Sequence, residues 1–456
     1  MKYKVKLFVI ATLIALLGYL FQIRLQSMMR PYARDGLYFQ QWSSESMMQT
    51  VSLEDLRTSP VETLWNIHIQ PPALDVIRTI LVHVWPSSDP LTSVKHVDLL
   101  LYQLWSFLYG LLGSLIFLWV SQLSEMKVAF IAAIALLLHP ACIFYATFLD
   151  TTLMSTLLIS YVYYQLWKVK NHHDVSTATI SIVVLALLFT RSIFQWPFIL
   201  LFTASLYLVG MSKRETMTFL LITVGIFGLY LGKQQYKFGL SVSSSFAGLN
   251  LTRSVGISDE MQHYYGYLDG LSDERTLDNL PSVLTRKRKI TGATNFNHVR
   301  YLELNRLLIH EFVEYVLTVP KGLLAKSYLQ NFKIYFQPSS EYGIHAIVDR
   351  IPWRSFYDRI FSSPVLYIFI ILVGITALIS AVTQNEVAKS IGMVLPGLYV
   401  FIVSVLFEKG GNMRFKFFIE PVFFVLLIAQ FHAVGQRVWN KVKIRYRGGL
   451  DRSTSC

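Results

Sequence analysis

The chain has 456 residues, of which 53% are hydrophobic and only 15% charged, and its mean hydropathy is +0.45. Soluble domains carry roughly 25% charged residues; the deficit here falls in long charge-free runs, which argues against a soluble globular protein and indicates spanning helices. A net charge of +13 in such a chain points to lipid headgroups or phosphorylated lipid substrates, not to nucleic acid.

Lys2, Lys4 and Lys6 precede the first apolar run, 7–23. No small-residue cleavage site follows it, so the run is expected to be a retained helix and not a removable signal peptide. Further charge-free runs fall at 99–120, 128–148, 151–167, 175–190, 192–211, 216–232, 361–384, 390–407 and 421–436. A span needs roughly 17–25 such residues, so the sequence predicts an all-α polytopic membrane protein with about ten transmembrane helices. The organisation expected is a membrane module over 1–232, a large loop segment over 233–360, and C-terminal helices with a basic tail over 361–456. Two long segments, 24–98 and 233–360, hold more than half of the 41 Lys and Arg residues. Each contains an amphipathic run, 73–85 and 298–317, expected to form a helix lying along the membrane face. Cys142 and Cys456 are the two cysteines, which gives no disulfide framework and no Cys-based metal site.

Orientation follows from the short loops. With the N-terminus inside, inner loops carry Lys127, Lys168, Lys170, Lys213, Arg214 and Lys389, and the C-terminal tail is basic. Long loops are exempt from this rule, so both long segments are placed outside. The expected location is a bacterial inner membrane, with the site facing the periplasm or exterior.

The residues able to carry chemistry recur in the predicted outer loops. Arg34-Asp35-Gly36 follows the first helix; Asp35 is either a general base or part of an Asp-Gly turn. In His68-Ile69-Gln70-Pro71-Pro72 the proline pair stiffens the chain, holding His68 and Gln70 as site residues or simply announcing the helix that follows. His139-Pro140, Tyr145 and Asp150 surround a very short outer loop, where an ionisable residue is costly unless it caps the next helix. Arg191 stands alone among apolar residues, a fork for phosphate or a snorkelling side chain. Glu408-Lys409-Gly410-Gly411-Asn412-Met413-Arg414 is a short outer loop that violates the charge bias, as an anionic ligand would allow, and its glycines permit close backbone approach. The run Arg286-Lys287-Arg288-Lys289 reads as a solvated face and is given no catalytic role.

In this order, Arg34-Asp35, His68 to Pro72, His139-Pro140 with Tyr145 and Asp150, Thr190-Arg191, and Asn412-Met413-Arg414-Phe415 with Glu420-Pro421 resemble the GT-C class of membrane glycosyltransferases. The resemblance is to the protein O-mannosyltransferase and aminoarabinose transferase branch, and it consists of scattered short pieces spread over most of the chain. It implies transfer of a sugar from a polyprenyl-phosphate carrier to a lipid, glycan or protein acceptor on the outer face. It assigns Asp35 as general base and Asp150 as assisting acid, with Arg191 and Arg414 on the donor phosphate. The remaining substrate-binding candidates are Arg34, His68, Gln70, Tyr145, Glu408, Lys409 and Asn412. The chain departs from the pattern where Gly36 follows Asp35 in place of a second acid, and where Gln70 stands for a lysine. Parts of the class use a divalent cation, although no dense acidic cluster here demands one.

Three other classes compete. A transporter or flippase of a lipid-linked glycan should show two similar halves with interrupted helices, and no internal repeat is found. An O-antigen ligase or polymerase would share the donor but not the order of Asp35, proline pair and Asp150. A scaffold would not repeat polar residues at each outer loop.

Overall fold

A computed structural model describes residues 2–29, 43–257, 264, 266–270, 279–342, 351–361, 375, 382, 386–429 and 431–432. Among these residues the fold is helical, with no named strand and one isolated bridge between Arg288 and Thr294. The N-terminal helical part begins with α1 (Lys2–Met29). It continues with α6 (Pro90–Leu123), α7 (Met126–Leu137), α8 (Pro140–Thr147), α9 (Thr152–Lys170), α10 (Thr177–Thr190), α11 (Trp196–Leu208) and α12 (Lys213–Phe238). The first long segment supplies α2 (Ser43–Ser46), α3 (Leu53–Thr58), α4 (Pro60–Trp65) and α5 (Ala73–Val84). The second supplies α13 (Ala247–Val255), α14 (Ser282–Thr285), α15 (Arg300–Thr318), α16 (Lys321–Tyr335) and α17 (Arg354–Phe361). The C-terminal part holds α18 (Val387–Phe407), α19 (Asn412–Phe417) and α20 (Glu420–Ala429).

Among the described residues four helices are long and apolar enough to cross a membrane: α1, α6, α12 and α18. A fifth forms if α7 and α8 are one broken span, bent by 56°. The single helix expected over 128–148 is therefore interrupted. Pro140 lacks an N–H and its ring clashes with the preceding turn, and His139 Nδ1 instead accepts the Ala141 N–H at 3.1 Å. Helices α10, α11 and α20 are apolar but shorter. The predicted span 361–384 lies almost wholly outside the described residues, as do most of 421–436 beyond Ala429 and the basic tail.

Helix α6 is the axis of the bundle. At 34 residues it runs about 50 Å, more than the roughly 30 Å of a bilayer core. Trp105 donates its indole N–H to the Asp150 carbonyl at 3.0 Å, which marks the level of the α8–α9 turn. From Trp105 to Leu123 the helix covers about 27 Å, and its N-terminal portion continues past that turn to pack on α5. Helix α1 crosses α6 at small residues: a Cβ on Gly110 would lie 2.2 Å from the Ala15 carbonyl oxygen. Lipid provides no hydrophobic drive between apolar helices, so this close approach, with Ser114 donating to the Ala11 carbonyl, is what joins them.

The two amphipathic runs form helices with nearly the expected bounds, α5 and α15. Helix α5 buries Leu74, Asp75, Arg78 and Val82, leaving Val76, Ile80 and Val84 exposed on its opposite face. Trp85, which ends the amphipathic run, stacks on His96 at 4.1 Å.

A buried ionic cluster joins the two long segments. Arg78 pairs with Asp75 at 2.6 Å and Glu45 at 2.9 Å. Lys289 donates to the Glu45 carbonyl at 2.9 Å, the Met47 carbonyl at 2.6 Å and Thr50 Oγ1 at 3.0 Å. Burial outweighs the attraction of Glu45 and lowers the Lys289 amine to about 7, and burial likewise raises Glu45 and Asp75 above the ordinary carboxylate range. This corrects the reading of 286–289 as a solvated face at Lys289, whereas Arg288 is exposed as expected. Arg286 pairs with Asp55 at 3.6 Å and Arg288 with exposed Asp269 at 2.6 Å, while Lys289 is buried. A lysine with a long apolar stem reaches backbone carbonyls that a short polar side chain could not.

Candidate anion site at one end of the bundle

The turn between α8 and α9 places Asp150. Its Oδ1 accepts the Thr152 N–H at 2.9 Å and its Oδ2 the Thr152 hydroxyl at 2.6 Å, so it organises the first turn of α9. The same Oδ2 receives Arg191 Nη2 at 2.7 Å. Arg191 follows the last residue of α10 in extended backbone. Its Nη2 also donates to Thr152 Oγ1 at 2.9 Å and its Nη1 to Gln49 Oε1 at 3.0 Å. Arg414 Nη1 lies 3.7 Å from Asp150 Oδ2. The Phe415 ring lies under both cations, 5.9 Å from the Arg191 and 5.0 Å from the Arg414 guanidinium carbon, a cation–π geometry.

The loop after α18 is built by Gly410 and Asn412. Gly410 has φ +80°, a conformation that favours glycine. The Asn412 amide donates to the carbonyls of Glu408 at 2.8 Å, Ser404 at 3.1 Å and Asn331 at 3.3 Å. It thereby satisfies carbonyls left open at a helix C-terminus. On the facing side, Arg253 of α13 donates to the Lys409 carbonyl at 2.9 Å and lies 3.8 Å from Glu408 Oε1.

Between these elements is a cavity of about 250 Å³. Arg191, Arg253 and Arg414 line it with Gln49, Gln70, Asn250 and Glu408, and Met48, Phe246 and Phe415 supply apolar wall. Planar guanidinium groups in a partly apolar recess suit a phosphate or carboxylate, bound by charge-assisted hydrogen bonds. Among the described residues no group of three or more His, Cys, Asp or Glu is placed to hold a metal ion.

The structure thus brings Gln70, Arg191, Glu408 and Arg414 together on one cavity, with Asp150 directly behind Arg191. It places other candidates elsewhere. His68 is fully buried: Nδ1 meets Ser245 Oγ at 2.9 Å and Nε2 the Asn297 carbonyl at 2.9 Å. Burial lowers its imidazole to about 3, so it stays neutral and ties the two long segments together. Tyr145 donates to the Ser339 carbonyl at 3.1 Å and stacks on Phe417. Asn412 shapes the loop, and Lys409 contributes its backbone carbonyl to Arg253. Arg34 and Asp35 lie outside the described residues.

Sequence reasoning missed Gln49, Asn250 and Arg253. The signal for the last two was present: positions 250 and 253 fall one turn apart on the amphipathic helix α13, on one polar face. Gln49 carried no local signal, because the ionic cluster around Lys289 and Arg78 fixes its segment.

Comparison with family models, curated proteins and solved structures finds no significant match to this chain.

Proposed function

We propose that this chain is a membrane glycosyltransferase that moves a sugar from a polyprenyl-phosphate-linked donor to a lipid, glycan or protein acceptor on the non-cytoplasmic face. The observation that carries the reading is the convergence of Arg191, Arg253 and Arg414 on one cavity at the end of a bundle of apolar helices. A phosphate attached to a membrane lipid reaches such a place with its apolar chain still among helices. Fixed guanidinium groups then stabilise the negative charge that develops as the phosphate leaves.

In this reading the bond from the sugar's anomeric carbon to the phosphate oxygen breaks, and its electron pair departs with the lipid phosphate. The acceptor oxygen or nitrogen bonds to that carbon from the opposite face, with inversion, and its proton passes to a base. Asp35 is the base proposed on sequence grounds. Asp150 is a positioning residue for Arg191 rather than the assisting acid first expected, since its carboxylate is bound to Arg191 and Thr152. The cavity's location at one end, away from the middle of the bundle, favours an enzyme over a transporter. The proposal includes about ten spans, α5 and α15 lying on the outer membrane face, and a bacterial inner membrane.

The test is to incubate the purified chain in nanodiscs with a panel of polyprenyl-phosphate sugars and follow release or transfer of the sugar. Turnover of at least one donor, abolished by Asp35→Asn in protein that still folds, is the expected result. Failure of every donor to bind or react overturns the assignment, and near-normal transfer by Asp35→Asn removes that residue as base.

A further inference from the structure

Glu408 is the one acidic side chain lining the arginine cavity among the described residues. Its Oε1 lies 3.8 Å from Arg253 Nη1. A Cβ placed on Gly411 would lie 2.7 Å from that same oxygen and 3.4 Å from Arg414 Nη2. The carboxylate therefore lies beside the Arg253 guanidinium, and it and an Arg414 nitrogen both border the space that the missing side chain of Gly411 leaves open. Its backbone is fixed by the Asn412 amide on its carbonyl.

The two acids at this site differ in kind. Asp150 lies behind Arg191 at hydrogen-bond distance and is not part of the cavity wall. Glu408 faces the cavity, and its 3.8 Å separation from Arg253 is an ion pair without a hydrogen bond. A phosphate approaching Arg253 and Arg414 has to displace this carboxylate or lie against it.

The geometry points to Glu408 as a built-in competitor for phosphate at Arg253, one that favours the singly charged donor diester over the more highly charged lipid monophosphate left after transfer. This rests on reading the cavity as the site of the donor phosphate. Transfer turns a phosphodiester into a phosphomonoester, which carries nearly two charges at neutral pH because its second ionisation lies near 6. Three arginines alone would hold that product more tightly than the donor. A facing carboxylate repels the extra charge and speeds product release.

The test measures binding of a polyprenyl monophosphate to the full chain in nanodiscs. Glu408→Gln, which keeps shape and removes charge, is expected to tighten binding about tenfold, an effect that shrinks at high salt. Glu408→Asp, with its shorter reach to Arg253, should give a smaller tightening. Arg253→Gln should weaken binding, and adding Glu408→Gln to it should change affinity less than threefold, as coupled residues require. Equal or weaker binding by Glu408→Gln, with Arg253→Gln still weakening it, makes Glu408 a ligand contact and overturns the competitor while leaving the phosphate site intact. Absence of binding by the wild type and all variants overturns the phosphate reading and the competitor with it.

Discussion

Asp150 and Arg191 meet at 2.7 Å across 41 residues of chain, and each side chain is only 2% exposed. The acid orders the start of α9 through Thr152 and, with the same oxygen, aims the arginine at the end of α10. Two helix ends are therefore registered by one carboxylate, and the arginine fork is held in place before any anion arrives.

Breaking that pair should be costly. Removing one partner of a buried ion pair leaves an uncompensated charge, at roughly 3–5 kcal/mol. Asp150→Asn should lower the melting temperature in detergent and weaken polyprenyl phosphate binding. A double-mutant cycle with Arg191→Gln should return a coupling of at least ~1 kcal/mol; additive effects would mean that the two do not act as a unit.

Replacing Arg191 by lysine keeps the charge but loses the fork. Arg191 uses one terminal nitrogen for Gln49 and the other for Asp150 and Thr152, which an ammonium cannot reproduce in one plane. Arg191→Lys is expected to raise the KM for a phosphate-linked donor about tenfold. An unchanged KM would show that point charge alone suffices there.

Gly110 admits no side chain. Its Cβ would fall 2.2 Å from the Ala15 carbonyl oxygen and 3.1 Å from the Tyr19 nitrogen, both backbone atoms. Gly110→Ala should force α1 and α6 apart at roughly 1–3 kcal/mol, read as a lower melting temperature. Gly225→Ala, where no atom lies within 4 Å, is the control and should melt like the wild type.

His68 predicts a pH effect with a definite sign. Its folded pKa, pushed down to about 3 by burial, lies below the ordinary 6.5. Between these values the opened segment binds a proton that the folded one does not, so stability is lost as pH falls below 6.5. From pH 7 to pH 5 the loss from this group is about 2 kcal/mol. The protection factors of residues 66–70, taken against the intrinsic exchange rate at each pH, should fall over that interval, and less so in His68→Asn. Equal loss of protection in both proteins would assign the effect to other groups.

Helix positions were legible wherever composition is local. The charge-free runs at 7–23, 99–120 and 390–407 lie inside α1, α6 and α18, and the amphipathic runs became α5 and α15. Bounds were less legible where a helix changes environment: α6 begins at Pro90 because its polar N-terminal turns pack on α5, outside any apolar run. Of the site, Arg191 was found as a lone charge among apolar residues, Glu408 and Arg414 in a short outer loop that violates the charge bias, and Gln70 beside the proline pair. His68, beside the same proline pair, and Tyr145, near the turn at Asp150, were singled out as well yet serve as buried struts, since a polar side chain in an unusual place satisfies a partner as readily as it binds a ligand.

The sequence by itself determined that the chain is helical, rich in apolar helices, and carries its unusual polar residues at the ends of those helices, because lipid tolerates little else in a span. It also announced the irregular points, His139-Pro140 and Gly410-Gly411, through residues whose backbone chemistry is local. Only the tertiary structure decided which polar residues share a cavity. Arg253, 156 residues before Lys409 in the chain, comes to it by helix packing, and Gln49 by a lysine 240 positions away that holds its segment. Charge pairs over such separations leave no periodicity in the chain. They form because burying one ion demands another beside it, and the fold alone settles which one is near.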